Sequence, residues 1–352
     1  MRIETITLNE NRHVTLTAYV QEVGGEFSNI PRRPAVLVLP GGGYSMCSER
    51  EAEPVAFTYL QAGYQAFILR YSVGEHARWP HPLEDYEQAM ELIRSKEEDW
   101  HLYPDKVAVI GFSAGGHLAG AAATMAKNKP NAAILGYAVT EEDLAKACEK
   151  TAPDLIASVN QHTCPCFVFA ARTDTLVPIS NTLRFTCALA EYGISFESHV
   201  YGYGPHGFSV ANSSVLLPGT PVCGRVRNWV ADSIAWLKDM FGDFGMGAMT
   251  EPLCGAHVNG DFEPYLSVDC TVGHLMASEE AQKVLAPMLQ AMQKTVAEKY
   301  GDRLANAEEQ NKKADLGMGT KMTLRTALSY GNLPEEAVEQ LNRALKQIPN
   351  ER

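Results

Sequence analysis

The chain has 352 residues, of which 45% are hydrophobic and 20% are charged, a composition typical of a folded globular protein rather than a disordered or fibrous one. Its formal net charge of -12, with no dense run of lysine and arginine, argues against nucleic acid as a partner, because a polyanion binder needs a basic face. No stretch approaches the roughly 20 apolar residues of a membrane helix, so the sequence predicts no membrane partner.

The first residues and the cysteines favour a reducing compartment. Residues 1–6 alternate apolar and polar side chains and include Glu4, so they lack the basic start and the long apolar stretch of a signal peptide. The eight cysteines show no repeated spacing and are interpreted as small apolar residues. Cys164 and Cys166 could form a metal or redox pair, but they lead into the apolar run 167–169, which favours core packing. The sequence therefore predicts a cytoplasmic address.

The pattern of strands changes along the chain. Residues 3–8 and 14–20 alternate in period two on either side of a polar turn, which predicts an antiparallel hairpin within residues 1–23. Later segments are short, rich in β-forming residues and mostly continuous in apolar character, as in strands that are buried on both faces. These segments are 35–39, 65–69, 106–110, 132–135, 167–170 and 196–200.

Amphipathic segments lie between these strands and predict helices that cover both faces of a sheet. The alternation predicts an α/β fold with a mainly parallel central sheet and right-handed crossovers. Ligands of such sheets bind at the carboxyl ends of the strands, so functional residues are expected in the loops that follow strands. The predicted helices are 51–62, 83–96, 115–127, 181–192 and 226–240.

A second, smaller domain is predicted after a glycine-rich linker at residues 242–260. We place the larger domain at residues 1–245, and the linker with a helical module at residues 246–352. In the module Ser278 can cap a helix, a second helical stretch covers 322–330, and a third begins at Pro334. The first helix has an apolar stripe that needs a partner, which predicts docking on the larger domain or a homo-oligomer through these helices. The stripe consists of Leu285, Met288, Leu289, Met292 and Val296.

The sequence Gly-Phe-Ser-Ala-Gly at residues 111–115 lies between a predicted strand and a predicted helix. The pattern G-x-S-x-G in this position forces a sharp turn, and glycines are needed on either side because larger side chains would collide with the strand and the helix. The turn lifts Ser113 above the sheet and directs the amide of Ala114 at whatever the serine attacks. Ser113 is therefore the candidate nucleophile.

A serine nucleophile needs a base that is held in one tautomer by an acid, and in this type of fold the order along the chain is serine, acid, histidine. Asp174 follows the strand that begins at residue 167 and is the candidate acid, with Asp154 as a rival that is better suited to capping. His206 follows the last strand between two glycines and is the candidate base. Other histidines are interpreted as structural or as lining a pocket, namely His81, His117 and His199.

The sequence Pro-Gly-Gly-Gly-Tyr at residues 40–44, here called the glycine loop, directly follows the strand 35–39. Three glycines allow a close approach of the backbone that side chains would prevent. We expect the amides of Gly42 and Gly43 to complete an oxyanion hole with Ala114.

With these motifs, residues 32–241 resemble the α/β-hydrolases of the esterase group near the hormone-sensitive lipase-like enzymes, and most of all bacterial acetyl esterases and acetylxylan esterases. Two departures separate the chain from the lipase-like branch, since Pro40 replaces a histidine and Asp174 is followed by Thr-Leu-Val-Pro instead of Asp-Pro. The resemblance implies attack of Ser113 on a short acyl ester, protonation of the departing alcohol by His206, and no metal or other cofactor.

The resemblance also implies a small-molecule or oligosaccharide ester as substrate, for example an acetylated xylo-oligosaccharide. Pocket-lining and core-packing roles both remain open for Tyr44, Trp79, Val177 and Phe208. Two other functions remain as alternatives, a serine peptidase on the same fold and a non-enzymatic binding or assembly protein.

Overall fold

Eight strands form one sheet in the chain, which a computed structural model describes over residues 1–287, 320–330 and 333–350. The strands are β1 (Arg2–Asn9), β2 (Val14–Val20), β3 (Arg33–Leu39), β4 (Gln65–Arg70), β5 (Leu102–Phe112), β6 (Ala132–Gly136), β7 (Cys166–Ala171) and β8 (Phe196–Tyr201). Their order across the sheet is β1-β2-β4-β3-β5-β6-β7-β8. β1 and β2 form the predicted antiparallel hairpin, β2 pairs antiparallel with β4, and every later pair is parallel. The predicted fold class is confirmed.

Helices connect the parallel strands, and one more follows β8. They are α1 (Glu53–Gln61), α2 (His81–Ser95), α3 (Ser113–Met125), α4 (Glu142–Cys148), α5 (Leu155–Ser158), α6 (Ser180–Glu191) and α7 (Asn228–Phe241). Short 3₁₀ turns cover Glu49–Glu51, Gly74–His76 and Gly224–Arg227. The helices α4 and α5 are absent from the sequence prediction because they are too short to show a helical period.

The central strands are buried on both faces, and alternate residues of one strand enter different cores. In β3, Leu37 and Leu39 belong to the core on one face, and Val36 and Val38 belong to the core on the other face. This arrangement explains the continuous apolar runs, since no face of these strands meets water.

The prediction of burial on both faces is wrong for β8. Exposed and partly buried residues alternate from Phe196 to Val200, and Tyr201 is buried. β8 is the last strand in the sheet order and, among the described strands, pairs with β7 alone, so one edge and part of a face are exposed to water.

The functional residues lie in the loops after β3, β5, β7 and β8. These four strands run parallel to their neighbours in the centre and on one side of the sheet, so their carboxyl ends lie at the same edge. The loops therefore converge, as the sequence predicts for a ligand site in such a fold.

The chain divides into two compact units, Met1–Ala256 and His257–Arg352. This division lies beyond the expected domain end at residue 245. The second unit has a core of its own, and its described helices are Val272–Ala277, residues 279–287, Leu324–Ser329 and Glu335–Leu345, with a 3₁₀ turn at Gly260–Phe262. The core residues include Leu266, Val268, Leu275, Leu285, Leu324, Leu328 and Leu345.

The helix starts expected in the second unit agree with the structure. The hydroxyl of Ser278 accepts a hydrogen bond from the amide of Ala281, as a cap for the helix at 279–287. Pro334 directly precedes the last helix. Of the predicted stripe, Leu285 is buried, and Met288, Leu289, Met292 and Val296 lie outside the described residues.

Across the described ranges, every helix is too short or too polar to traverse a lipid bilayer.

Candidate active site

Ser113 lies at the junction of β5 and α3 with φ of +53°, a left-handed conformation that few side chains adopt. The flanking glycines make this turn possible. A Cβ atom at Gly111 would lie 2.0 Å from the carbonyl oxygen of Gly115, and one at Gly115 would lie 2.2 Å from the carbonyl oxygen of Leu39. The turn is therefore the strained strand-to-helix connection that the G-x-S-x-G sequence predicts.

His206 contacts the serine directly. Its Nε2 atom lies 2.9 Å from the hydroxyl oxygen of Ser113, within hydrogen-bonding distance. The histidine belongs to the loop 202–211 after β8, here called the histidine loop, in which Gly207 has φ of +71°. The ring of Tyr137 meets the imidazole edge to face, with 5.0 Å between the ring centres. The conformation of the histidine loop and the packing against Tyr137 thus hold the imidazole of His206 beside Ser113.

Asp174 completes a hydrogen-bonded chain of three side chains. Its Oδ2 atom lies 2.7 Å from Nδ1 of His206, and its Oδ1 atom accepts hydrogen bonds from the amides of Leu176 and Val177. The carboxyl group is fully buried. A carboxylate can only accept, so the arrangement assigns the ring hydrogen to Nδ1 and leaves Nε2 free to accept from Ser113.

The loops that carry the acid and the base are also joined to each other. The hydroxyl of Thr173 donates to the carbonyl oxygen of Gly204 at 3.2 Å and accepts from the amide of Gly204 at 3.1 Å. This reciprocal pair lies one residue before Asp174 and two residues before His206. It limits the relative movement of the two side chains.

The glycine loop lies beside Ser113, since a Cβ atom added to Gly41 would approach the Cβ of Ser113 to 3.0 Å. Gly42 and Gly43 have φ of +133° and +60°. Within the described part of the chain, their amides donate no hydrogen bond. The amide of Ala114 lies in the first turn of α3, where an N–H group has no acceptor in its own helix. Three free donors thus belong to elements that adjoin the serine.

Asp154, the rival acid, caps a helix instead. Its Oδ1 atom accepts from the amides of Ile156 and Ala157 at the start of α5. His199 bonds Glu197 within β8, and His81 bonds the carbonyl of His76, so both have the structural environments expected for them.

His117 supports the glycine loop through a hydrogen bond with Tyr44, the last residue of that loop. Its Nε2 atom lies 2.9 Å from the carbonyl oxygen of Pro153, which can only accept, so Nε2 carries the hydrogen. Its Nδ1 atom then accepts from the hydroxyl of Tyr44 at 2.8 Å. Burial lowers the pKa of His117 to about 4 and raises the pKa of Tyr44 well above its ordinary value. Both groups are therefore neutral near pH 7.

The residues suggested as pocket lining have different environments. Tyr44 is buried, and Val177 is buried in a small apolar cluster with Val139, Ala145 and Ala152. Trp79 is partly buried and packs against this cluster, and its indole N–H is a buried donor with no partner in the described residues.

Phe208 is fully buried between Tyr137 and Phe169, with ring-centre distances of 4.7 and 5.9 Å. With no surface open to solvent, it packs in the core behind His206, and this packing favours the core role that the sequence left open for it.

Glu51 and Tyr137 are missing from the sequence prediction. Glu51 is only 3% exposed, accepts the amide of Gly41 at 2.8 Å on Oε2 and the hydroxyl of Tyr137 at 2.7 Å on Oε1. Burial raises its pKa. The surrounding sequence, Ser-Glu-Arg-Glu-Ala-Glu, has the composition of a solvated helix start, so the pattern gives no signal that the middle glutamate is buried.

The described residues contain no cluster of three histidine, cysteine, aspartate or glutamate side chains that could hold a metal ion.

Comparison with known proteins adds the family context. The BD-FAE family model matches residues 28–131, a range that includes the glycine loop and Ser113. The solved structure of MGS-M1, an α/β hydrolase enzyme from a Medee basin deep-sea metagenome library, is 44% identical in sequence. The match covers 68% of this chain and 98% of that chain, with a TM-score of 0.62.

Two curated relatives match about half of the chain. Endo-1,4-beta-xylanase B of Butyrivibrio fibrisolvens is 32% identical over 211 residues, which cover 51% of this chain and 33% of that protein. The acetylxylan esterase of Xylanibacter ruminicola is 32% identical over 205 residues, which cover 51% of this chain and 42% of that protein. The match thus spans less than half of the length of each.

Proposed function

Because the chain belongs to the α/β-hydrolase family, in its acetylxylan esterase-like branch, we propose that it is a serine esterase that hydrolyses short-chain acyl esters. The observation that carries the proposal is the hydrogen-bonded chain Ser113–His206–Asp174 beside three free backbone amides. A nucleophile, an oriented base and donors for an oxyanion are the three parts that acyl transfer requires.

The first half of the reaction forms an acyl-enzyme. Nε2 of His206 takes the proton of the Ser113 hydroxyl as the serine oxygen attacks the ester carbonyl carbon. Asp174 holds the ring in the required tautomer and stabilises the imidazolium that forms. The tetrahedral intermediate collapses when His206 protonates the departing alcohol, and the acyl group remains on Ser113.

The second half releases the acyl group with water. His206 takes a proton from the water molecule, the hydroxide attacks the acyl-enzyme carbonyl, and the proton returns to Ser113. In both halves the negative oxygen would be stabilised by the amides of Gly42, Gly43 and Ala114. Loss of one such donor typically costs about a hundredfold or more in rate.

For the substrate we propose acetyl esters of carbohydrates, such as acetylated xylo-oligosaccharides. The support is the name of the Xylanibacter ruminicola relative, an acetylxylan esterase, together with the name of the Butyrivibrio fibrisolvens relative, a xylanase. Tyr44, Trp79 and Val177 are the proposed pocket residues. The cytoplasmic address and a homo-oligomer through the C-terminal helices stay predictions.

The experiment that tests the proposal compares the wild type with Ser113→Ala on p-nitrophenyl acetate, on acetylated xylo-, manno- and gluco-oligosaccharides, and on an aminoacyl-proline amide. Loss of single acetyl groups, seen by mass spectrometry and abolished by Ser113→Ala, is the expected result. Cleavage of the amide in preference to the esters would favour the peptidase alternative. A wild type that is folded and inert on every substrate would favour a binding protein.

A further inference from the structure

One buried carboxyl group joins the two loops that the proposed reaction depends on. Glu51 lies in the 3₁₀ turn Glu49–Glu51 just before α1, outside the glycine loop and the G-x-S-x-G turn, and both of its carboxyl oxygens accept hydrogen bonds. One oxygen contacts the glycine loop. The other contacts Tyr137, whose ring packs against His206.

The orientation of the glycine loop depends on three peptide units, namely Pro40–Gly41, Gly41–Gly42 and Gly42–Gly43. In a trans peptide the C=O and the following N–H point to opposite sides. The Gly41 carbonyl accepts from the amide of Ser48 at 2.8 Å, and the Gly42 carbonyl accepts from the amides of Ser45 and Met46 at 3.0 and 3.3 Å. The N–H groups of Gly42 and Gly43 therefore point away from residues 45–48.

The first of these peptide units, between Pro40 and Gly41, is held at both ends. The hydroxyl of Tyr71 donates to the Pro40 carbonyl at 2.6 Å, and the Gly41 amide donates to Glu51 at 2.8 Å. Gly41 has no side chain to restrict its rotation, so without an acceptor at the position of Glu51 this unit loses one of its two anchors.

The other oxygen of Glu51 extends the same network to the histidine loop. The Tyr137 hydroxyl donates to Glu51 at 2.7 Å and accepts from the amide of Ser209 at 3.0 Å. Ser209 has φ of +49°, and its hydroxyl donates to the carbonyl of Arg50 at 2.5 Å. Hydrogen bonds thus join residue 41 to residue 209 through two buried side chains.

We propose that Glu51, acting through Tyr137, is a positioning residue that fixes the oxyanion-binding amides relative to His206. The inference rests on the proposed esterase reaction and extends it, since Glu51 touches neither the serine nor the ester. Its effect is on geometry. Glu51 accepts hydrogen bonds from two donors, the Gly41 amide and the Tyr137 hydroxyl, and so holds the glycine loop in place. A small rotation of this loop would move the amides of Gly42 and Gly43 away from the oxyanion.

The electrostatic surroundings agree with this role. Burial is the main influence on the pKa of Glu51 and raises it, while the bonds from Tyr137 and Gly41 and the charge of His206 act in the opposite direction. The hydrogen bonds from the two loops thus offset part of the cost of burying this carboxyl group.

The test compares Glu51→Ala and Glu51→Gln with the wild type, each as the full chain. The assay measures kcat and KM on p-nitrophenyl acetate. Glu51→Ala removes both acceptors, and we expect kcat to fall about a hundredfold with KM changed less than about threefold. Glutamine keeps one oxygen for Gly41 and can donate to the oxygen of Tyr137, so Glu51→Gln should restore kcat to within about tenfold of the wild type.

A second readout separates positioning from loss of structure. A trifluoromethyl ketone binds as a tetrahedral adduct of the serine, so its inhibition constant reports on the oxyanion hole. For Glu51→Ala we expect this constant to rise by about the same factor as kcat/KM falls. The matched control is Glu53→Gln, a glutamate two residues away that also accepts a tyrosine hydroxyl, from Tyr19 at 3.1 Å, and should leave both readouts unchanged.

Tyr137→Phe provides the test if Glu51→Ala does not fold, because it removes a single oxygen atom from the network. We expect kcat to fall about tenfold and the inhibition constant to rise in parallel. An active wild type whose folded Glu51→Ala or Tyr137→Phe variants keep kcat within threefold, or lose kcat with no change in the inhibition constant, would overturn the role of Glu51. Failure of the esterase proposal is distinct, since it appears in the wild type and in Ser113→Ala.

Discussion

The hydroxyl oxygen of Ser113 lies 2.9 Å from Nε2 of His206, although 93 positions separate the two residues along the chain. The contact results from topology. The serine follows β5 and the histidine follows β8, and the parallel strands between them bring both loops to one edge of the sheet. Asp174 follows β7 and reaches the far side of the same imidazole.

Asp174→Asn is expected to reduce kcat by about three to four orders of magnitude with little change in stability. The asparagine amide can turn its NH₂ group toward Nδ1 of His206, which favours the tautomer that cannot accept the proton of Ser113. Steady-state kinetics on p-nitrophenyl acetate measure this loss.

Asp154→Asn is the matched control, since asparagine also caps helices and the Asp154 side chain accepts from amides at the start of α5. It should keep kcat within about twofold of the wild type. Equal losses in the two variants would contradict the assignment of Asp174 as the acid.

Gly42→Ala and Gly43→Ala should differ sharply. A Cβ atom at Gly42, where φ is +133°, would lie 2.2 Å from the carbonyl oxygen of Met46, so the glycine loop has to move. At Gly43, where φ is +60°, the nearest atom would be the hydroxyl oxygen of Ser45 at 3.9 Å. Only conformational strain of about 1–2 kcal/mol opposes the second substitution.

We expect Gly42→Ala to lower kcat at least about a hundredfold and Gly43→Ala to lower it less than about tenfold. Kinetics at a temperature where both variants are folded provide the comparison. Activity in Gly42→Ala equal to that in Gly43→Ala would show that the loop does not depend on the conformation at residue 42.

The sequence is informative where the proposed function needs a local pattern. The strained turn at Ser113 needs glycines at fixed positions, and the loops after parallel strands meet whatever their sequence, so Ser113, Asp174 and His206 could be named from their places in the strand order. The glycine loop could also be predicted, because its three consecutive glycines directly follow a strand.

The sequence was uninformative wherever the environment depends on distant neighbours. Glu51 is separated by 86 positions from Tyr137, and nothing in its own segment indicates burial. β8 mixes the apolar Phe196 and Val200 with the polar run 197–199, and its place at the sheet edge is a property of the order of strands. Phe208 lies two residues from His206 and is fully buried in the core, whereas His206 contacts Ser113.

Leu345→Ala tests whether the core of the second unit is as well packed as its burial indicates. Leu345 is fully buried at the end of the last described helix, and loss of a buried leucine side chain typically costs about 2–5 kcal/mol. Hydrogen exchange of peptides from residues 266–285 and 324–345 should therefore accelerate. Leu333→Ala, at a position that is 37% exposed, should leave their exchange unchanged.

His117 should make the stability of the larger unit depend on pH. Burial lowers its pKa in the folded state from the ordinary 6.5 to about 4. Between these two values the unfolded chain binds a proton that the folded chain does not, so the free energy of unfolding increases with pH across this interval. The contribution is complete above pH 6.5 and is lost as the pH falls toward 4. Its size is on the order of 3 kcal/mol.

His117→Gln is the variant that checks this dependence, because glutamine can donate to the carbonyl of Pro153 and accept from the hydroxyl of Tyr44 without titrating. Urea unfolding at several pH values between 4 and 7 should give a smaller slope for the variant than for the wild type. His162→Gln, which changes an exposed histidine, should keep the wild-type slope. A His117→Gln variant whose stability falls in acid as steeply as that of the wild type would mean that other groups account for the acid sensitivity, and that the link between His117 and the glycine loop is not what protonation breaks.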